Sequence, residues 1–143
     1  MKLVKHLLDS KGRHVISATP DTTVLDAIKL MAENAVGSLV VMKDEELCGI
    51  ITERDYARKV IIKGRASEST FVSEIMSTDV CTTSSSQTVN SCMELMTEKR
   101  IRHLPVVEDN RVIGMISIGD LVQAIITDQQ EEIEQLEQYI SGQ

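Results

Sequence analysis

Apolar residues recur along the chain in two rhythms. Val24, Ala27, Ile28 and Met31 stand three and four residues apart, as do Val89, Cys92, Met93 and Met96, and each set marks one face of an amphipathic helix. Runs rich in β-branched residues follow. Leu39 to Met42 and Leu47 to Thr52 flank the polar residues 43–46, while Leu104 to Val107 and Val112 to Ser117 flank 108–111, so each pair predicts a hairpin. A second helix is predicted after each hairpin, over Glu53 to Ile62 and Ile118 to Thr127. Short strands are predicted over Val15 to Ala18 and Val80 to Thr83.

These rhythms are copies of one unit. Shifting the sequence by 65 positions aligns Val15 to Val60 with Val80 to Ile125 without a gap, and 12 of the 46 pairs are identical, Gly49 with Gly114 and Asp55 with Asp120 among them. Upstream, Val4 to Leu8 resembles Val72 to Met76 at an offset of 68. Each copy reads β-α-β-β-α, and the polar stretch Lys63 to Thr70 joins them. The expected division is therefore 1–65 and 66–127, followed by an acidic helical extension over 128–143. A copy of about sixty residues buries too little apolar surface to stand comfortably alone. An α+β fold with the copies packed face to face about a pseudo-twofold axis, leaving two related clefts, is the expectation. Ile133, Leu136 and Ile140 continue at helical spacing, so the extension should prolong the last helix and pack on a twofold mate, a solvated tail being the alternative.

Composition narrows the function classes. With 143 residues, 42% of them hydrophobic and 26% charged, the chain has the size and balance of a soluble globular unit that needs neither disulfides nor a structural metal. Cys48, Cys81 and Cys92 form no C-x-x-C pair and fall on apolar positions, which predicts reduced core residues. His6, His14 and His103 are scattered, so no metal site is expected. No apolar run reaches the roughly 20 residues of a membrane span, and the start lacks a signal peptide's apolar centre. A cytoplasmic setting away from membranes is the expectation. The net charge of −7 and the scarcity of aromatics, Tyr56, Phe71 and Tyr139 alone, argue against nucleic-acid binding.

The chemistry concentrates where the last strand of each copy meets the following helix. Gly49 to Asp55 and Gly114 to Asp120 share the form Gly, two apolar residues, a hydroxyl, two variable residues and Asp. One reading is a capping box, in which Thr52 and Ser117 accept from the helix amides while Asp55 and Asp120 reach back. The other is a nucleotide site: a helix start suits a phosphate, a hydroxyl beside it donates, and an acid one turn on accepts a ribose diol. Antiparallel pairing around residues 108–111 puts Arg102 and His103 beside Ile116 and Ser117, where they flank the helix start. In the first copy Gly37 and Ser38 occupy the corresponding place, and positive charge comes instead from Arg54 and Arg58 on the next helix. The two clefts should therefore differ. An adenine ring, lacking aromatic platforms, would lie between aliphatic walls such as Ile16, Val41, Ile51, Val106 and Ile116.

These tandem segments resemble a pair of cystathionine-β-synthase (CBS) domains, the Bateman module. Thr52 to Lys59, Arg100 to Val107 and Gly114 to Asp120 are similar to stand-alone two-CBS proteins, and the likeness covers residues 1 to 127. It implies adenine-nucleotide binding (AMP, ADP, ATP or NAD) between the domains, and homodimers. By that similarity Thr52, Asp55, Ser117 and Asp120 map onto hydroxyl and ribose positions, and Arg102 and His103 onto a phosphate-contacting place. Pro105 falls within the matching strand. Gly37 and Ser38 in place of Arg102 and His103, and Gly119 in place of Arg54, depart between the copies. The expected function is a non-catalytic sensor that requires no cofactor and passes nucleotide binding to a regulated protein. A dimerisation module without a ligand is the alternative, and no nucleophile oriented by a base suggests an enzyme.

Overall fold

The structure, a computed structural model, describes residues 2–142. Its elements run α1 (Val4–Lys11), β1 (Ser17–Ala18), α2 (Val24–Asn34), β2 (Ser38–Lys43), β3 (Glu46–Thr52), α3 (Glu53–Tyr56) with a π-helical continuation (Ala57–Ile61), α4 (Val72–Ile75), α5 (Val89–Lys99), β4 (His103–Glu108), β5 (Arg111–Ser117) and α6 (Ile118–Ile140). The repeat predicted from spacing is thus present as an α+β fold. Both hairpins turn on two residues with positive φ, Asp44 and Glu45 in the first and Asp109 and Asn110 in the second. That is the backbone of a type I′ turn, whose twist matches the flanking strands.

Two compact units form, and they do not follow chain order. The first-copy unit is Val15–Cys81 with Asp109–Val112; the second-copy unit comprises the described residues up to His14, Thr82–Glu108 and those from Ile113 onward. The leading segment of each copy has therefore crossed to the other. Leu3 bridges Thr88 and α1 hydrogen-bonds ahead of α5, through Val4 N to the Gln87 carbonyl at 2.9 Å and Lys5 N to Ser85 at 3.0 Å. In the same way Phe71 bridges Thr23, and Val24 N donates to the Thr70 carbonyl at 2.8 Å. The stretch expected as a linker, Lys63 to Thr70, is accordingly pinned to α2, with Leu25 N on the Ser67 carbonyl at 3.0 Å and Thr70 buried.

In the first-copy unit β1, β2 and β3 form one sheet, β1 parallel to β2 and β2 antiparallel to β3. Ala18, Leu39, Val41 and Ile51 pack against Val24, Ala27 and Met31 of α2 and Val72 and Ile75 of α4. In the second-copy unit the strand expected over Val80 to Thr83 is reduced to a single parallel bridge, Thr83 to Val106. Thr83 N donates to the Pro105 carbonyl at 3.0 Å and Val107 N donates to Thr83 at 2.8 Å. Pro105 stands where β2 has Val40 and has no N–H, so the ladder cannot continue back to Cys81.

Helix α6 runs unbroken for 23 residues, joining the predicted helix over Ile118 to Thr127 with the acidic extension. The corresponding helix of the first copy is shorter and irregular. After one α-turn it widens, with Ile62 N on the Ala57 carbonyl at 3.1 Å and Arg65 N on Val60 at 2.9 Å, a five-residue spacing that departs from the regular helix expected there. Cys92 is buried, while Cys48 and Cys81 are half-buried, and all three are free thiols.

Candidate ligand-binding site

Thr52 ends β3 and Ser117 ends β5, each with an extended backbone that turns directly into a helix. Both capping boxes close. Asp55 N donates to Thr52 Oγ1 at 3.1 Å, and Thr52 N donates to Asp55 Oδ2 at 3.0 Å. In the second copy Asp120 N donates to Ser117 Oγ at 3.2 Å and Ser117 N to Asp120 Oδ2 at 2.8 Å. The local sequence explains this, because a hydroxyl and an acid three residues on satisfy two amides that the helix leaves open.

The strands leading into these caps are held by a close approach that only glycine allows. A Cβ on Gly49 would lie 2.7 Å from the Ser77 carbonyl oxygen and 2.8 Å from Met76 Sδ. One on Gly114 would lie 2.6 Å from Leu8 Cδ2. The exchanged leading segments thus press on the two repeat-related glycines.

Each carboxylate also meets a lysine, which the sequence reading missed. Lys59 Nζ lies 3.1 Å from Asp55 Oδ1 and donates to the Ile75 carbonyl at 2.8 Å. Lys11 Nζ, on α1, lies 2.6 Å from Asp120 Oδ2 and donates to the Met115 carbonyl at 2.8 Å. The difference between the copies is chemical. Asp55 uses both oxygens and its side chain is 11% exposed. Among the described residues the bonds to Asp120 fall on Oδ2, and its side chain is 24% exposed. Burial pushes the Asp120 carboxyl up, yet the Lys11 hydrogen bond, the Ser117 amide, the Lys11 charge and the Ser117 hydroxyl together hold it below the usual carboxylate range. A groove of about 190 Å³ borders it, between α1 and α6, lined by Lys2, His6, Ser10, Lys11, Gln123 and Thr127 among others.

The backbone beside each helix start is shared as well. Ile118 N donates to the Arg102 carbonyl at 2.9 Å and Glu53 N to the Gly37 carbonyl at 3.1 Å, so Arg102 and Gly37 occupy equivalent places. Ser38 pairs with Thr52 in the ladder and is buried. His103 opens β4, half-buried, and Arg102 is exposed just before it. Arg54 and Arg58 are both exposed, Arg54 on α3 and Arg58 on the π-helical turn that continues it.

The aliphatic walls fall differently from expectation. Val41, Ile51, Val106 and Ile116 are all fully buried, and Val41 and Ile51 belong to the helix-facing core. Because side chains alternate across a sheet, the opposite face carries Val40 and Ile50, and at the repeat positions Pro105 and Met115. Of these only Pro105 was anticipated. The phase of alternation, fixed by the observed pairing of Val41 with Gly49, is the signal that identifies the others. Ile16 is half-buried against the first-copy core.

A second pocket, of about 620 Å³, opens in the second-copy unit along α5 and is lined by Thr82, Thr83, Ser84, Ser91, Glu94 and Glu98 among others. It includes none of the anticipated site residues. No group of three or more His, Cys, Asp or Glu among the described residues is placed to hold a metal ion, and no helix there is long and apolar enough to cross a membrane.

Comparison with known proteins places this geometry in context. The CBS domain model matches residues 5–62 and again 72–127. The chain is 45% identical to the mitochondrial CBS domain-containing protein CBSX3 of Arabidopsis thaliana, over 97% of this chain and 72% of that protein. It superposes with a TM-score of 0.87 on a putative signal-transduction protein with CBS domains from Burkholderia ambifaria MC40-6, at 48% identity over 90% of this chain and 96% of the other. A TM-score of 0.80, at 25% identity over 90% and 98%, relates it to the CBS domain pair of protein MJ0100 in complex with 5′-methylthioadenosine and S-adenosyl-L-methionine.

Proposed function

The chain belongs to the CBS-domain family, and from that premise we propose that it is a non-catalytic sensor of an adenosine-bearing ligand, an adenine nucleotide such as AMP, ADP, ATP or NAD, working as a cytoplasmic homodimer that passes ligand binding to a partner protein. Asp120 carries the reading. It sits one turn into α6 beside Ser117, keeps its Oδ2 in the cap and the lysine pair, and is partly exposed, so Oδ1 is the acceptor for a ribose hydroxyl. Arg102, whose carbonyl is bound to the start of α6, is the side chain to meet a phosphate. Thr52 and Asp55 form the weaker counterpart, because Lys59 takes the oxygen that Asp120 leaves open. That a related domain pair is known in complex with methylthioadenosine and S-adenosylmethionine supports the adenosine part of the ligand.

The competing reading, a dimerisation module without a ligand, is favoured by the closed caps at both helix starts. One thermal-shift plate separates the two. A ligand at about 100 times its dissociation constant stabilises by about 2.7 kcal/mol, so the sensor reading expects a raised Tm with at least one of AMP, ADP, ATP, NAD and S-adenosylmethionine at millimolar concentration. A flat response to all of them defeats it.

A further inference from the structure

The groove along α5 in the second-copy unit contains none of the residues assigned to the nucleotide, and its chemistry is different. Its volume of about 620 Å³ falls within the roughly 300–1,000 Å³ of small-molecule sites. Leu95 and Val107, both half-buried, give it apolar surface beside the buried Cys92. Glu94 and Glu98 stand one helical turn apart on the same side of α5, and both are exposed.

The polar groups select a donor-rich cation. Ionised Glu94 and Glu98 can only accept hydrogen bonds. Ser91 Oγ donates to the Thr88 carbonyl at 2.9 Å, so its proton is committed within the helix and it too offers the groove an acceptor. Among the described residues no lysine or arginine lines the groove, and neither glutamate forms an ion pair. A metal ion lacks the ligands it needs, because no third acid, histidine or cysteine among the described residues completes a set. Residues four apart on a helix have Cβ atoms about 5–6 Å apart, a separation that the two ends of a short diamine can match. The repeat-related place in the first copy has the opposite character. Lys29 stands there for Glu94 and Asp26 for Ser91, with Glu33 in the place of Glu98. Lys29 lies three residues after one acid and four before the other, so that charge is balanced within α2 and an ammonium group would meet a like charge.

We propose that the α5 groove is a binding site for a linear aliphatic diamine or polyamine, with one ammonium group on Glu94, another on Glu98 and the methylene chain along Leu95 and Val107. Ser91 Oγ supplies a further acceptor. The occupant brings the donors and the apolar length that this lining asks for. The site goes beyond the nucleotide reading and does not rest on it.

The test uses the full chain, with 1,4-diaminobutane, spermidine and n-butylamine as probes, in a titration followed by backbone-amide NMR. The diamine should bind at least about tenfold more tightly than the monoamine and weaken as salt is raised. It should shift the amide resonances of Ser91 and Leu95 and leave those of Asp26 and Leu30 on α2 in place. Glu94→Lys, which gives the second copy the residue of the first, should weaken the diamine at least about tenfold, and Glu98→Gln at least about threefold. The acidic tail of α6 is the competing place for a polyamine, so Glu131→Gln with Glu134→Gln should leave the affinity within about twofold. All four glutamates are exposed, and an unchanged Tm verifies that the variants fold. No binding of the diamine or spermidine at millimolar concentration overturns the proposal, and so does equal affinity for the diamine and the monoamine. Full affinity in Glu94→Lys, or a loss in the tail variant instead, overturns it as well.

Discussion

The two copies close the same cap with the same residue types and still differ in what the cap leaves over. In the first copy the lysine comes from four residues along, Lys59, and completes the coordination of Asp55 inside its own helix. In the second it comes from α1, 109 positions away, and shares one oxygen of Asp120 with the cap. Sequence identity at Asp55 and Asp120 therefore conceals a difference in availability. A duplicated motif keeps its fold through local hydrogen bonds, and it diverges through the partners that long-range packing brings to it.

The largest expected effect concerns the close approaches beneath the two caps. Gly49→Ala drives a Cβ into a backbone oxygen and should cost about 3 kcal/mol, the upper part of the overpacking range. Gly114→Ala meets the Leu8 side chain, its terminal methyls first, whose burial limits its escape, and should cost about 1–2 kcal/mol. Urea unfolding of both variants checks the order; equal costs would mean that the exchanged segments yield alike.

Arg102→Ala should sharpen the contrast in ligand recognition. Losing a charge-assisted hydrogen bond of about 1.5–3 kcal/mol weakens AMP by about tenfold to a hundredfold and leaves adenosine or methylthioadenosine nearly unaffected. Calorimetric titration of both ligands reads the split. A parallel loss for adenosine would take Arg102 off the phosphate.

The smallest effect is on acid stability. Asp120 is held below the ordinary carboxylate value of about 3.9, so the pair with Lys11 contributes above that pH and is lost as pH falls through the lower folded value. Lys11→Met should flatten this acid limb, by less than about 1 kcal/mol given the exposure of the pair. Urea midpoints at about pH 5 and pH 3 measure it, and an unaltered acid limb would assign the loss to other carboxylates.

Much of this was legible from spacing alone. Helix faces, hairpins, capping boxes and the continuation of α6 through Ile133, Leu136 and Ile140 all follow from local rules of periodicity and turn chemistry. The exchange of leading segments was not, because the matching offsets tie Val4 to Leu8 with Val72 to Met76 but do not say which copy each packs on. Nor was the π-helical turn after Tyr56, which no residue between Ala57 and Ile61 announces. The phase of the strands is ambiguous in the sequence for a similar reason. Val40 and Val41 are both apolar and both buried, so only the ladder decides which faces the helices. Lys11 was invisible because its partner is set by tertiary packing.

The central claim is that Asp120, and not Asp55, provides the acceptor for the ligand's ribose. Isothermal titration of whichever nucleotide raises the Tm most, against the wild type, Asp120→Asn and Asp55→Asn, tests it most directly. The account predicts that Asp120→Asn weakens the principal binding event by at least about tenfold while Asp55→Asn leaves its affinity within about twofold. Loss of binding in Asp55→Asn with retention in Asp120→Asn would contradict it.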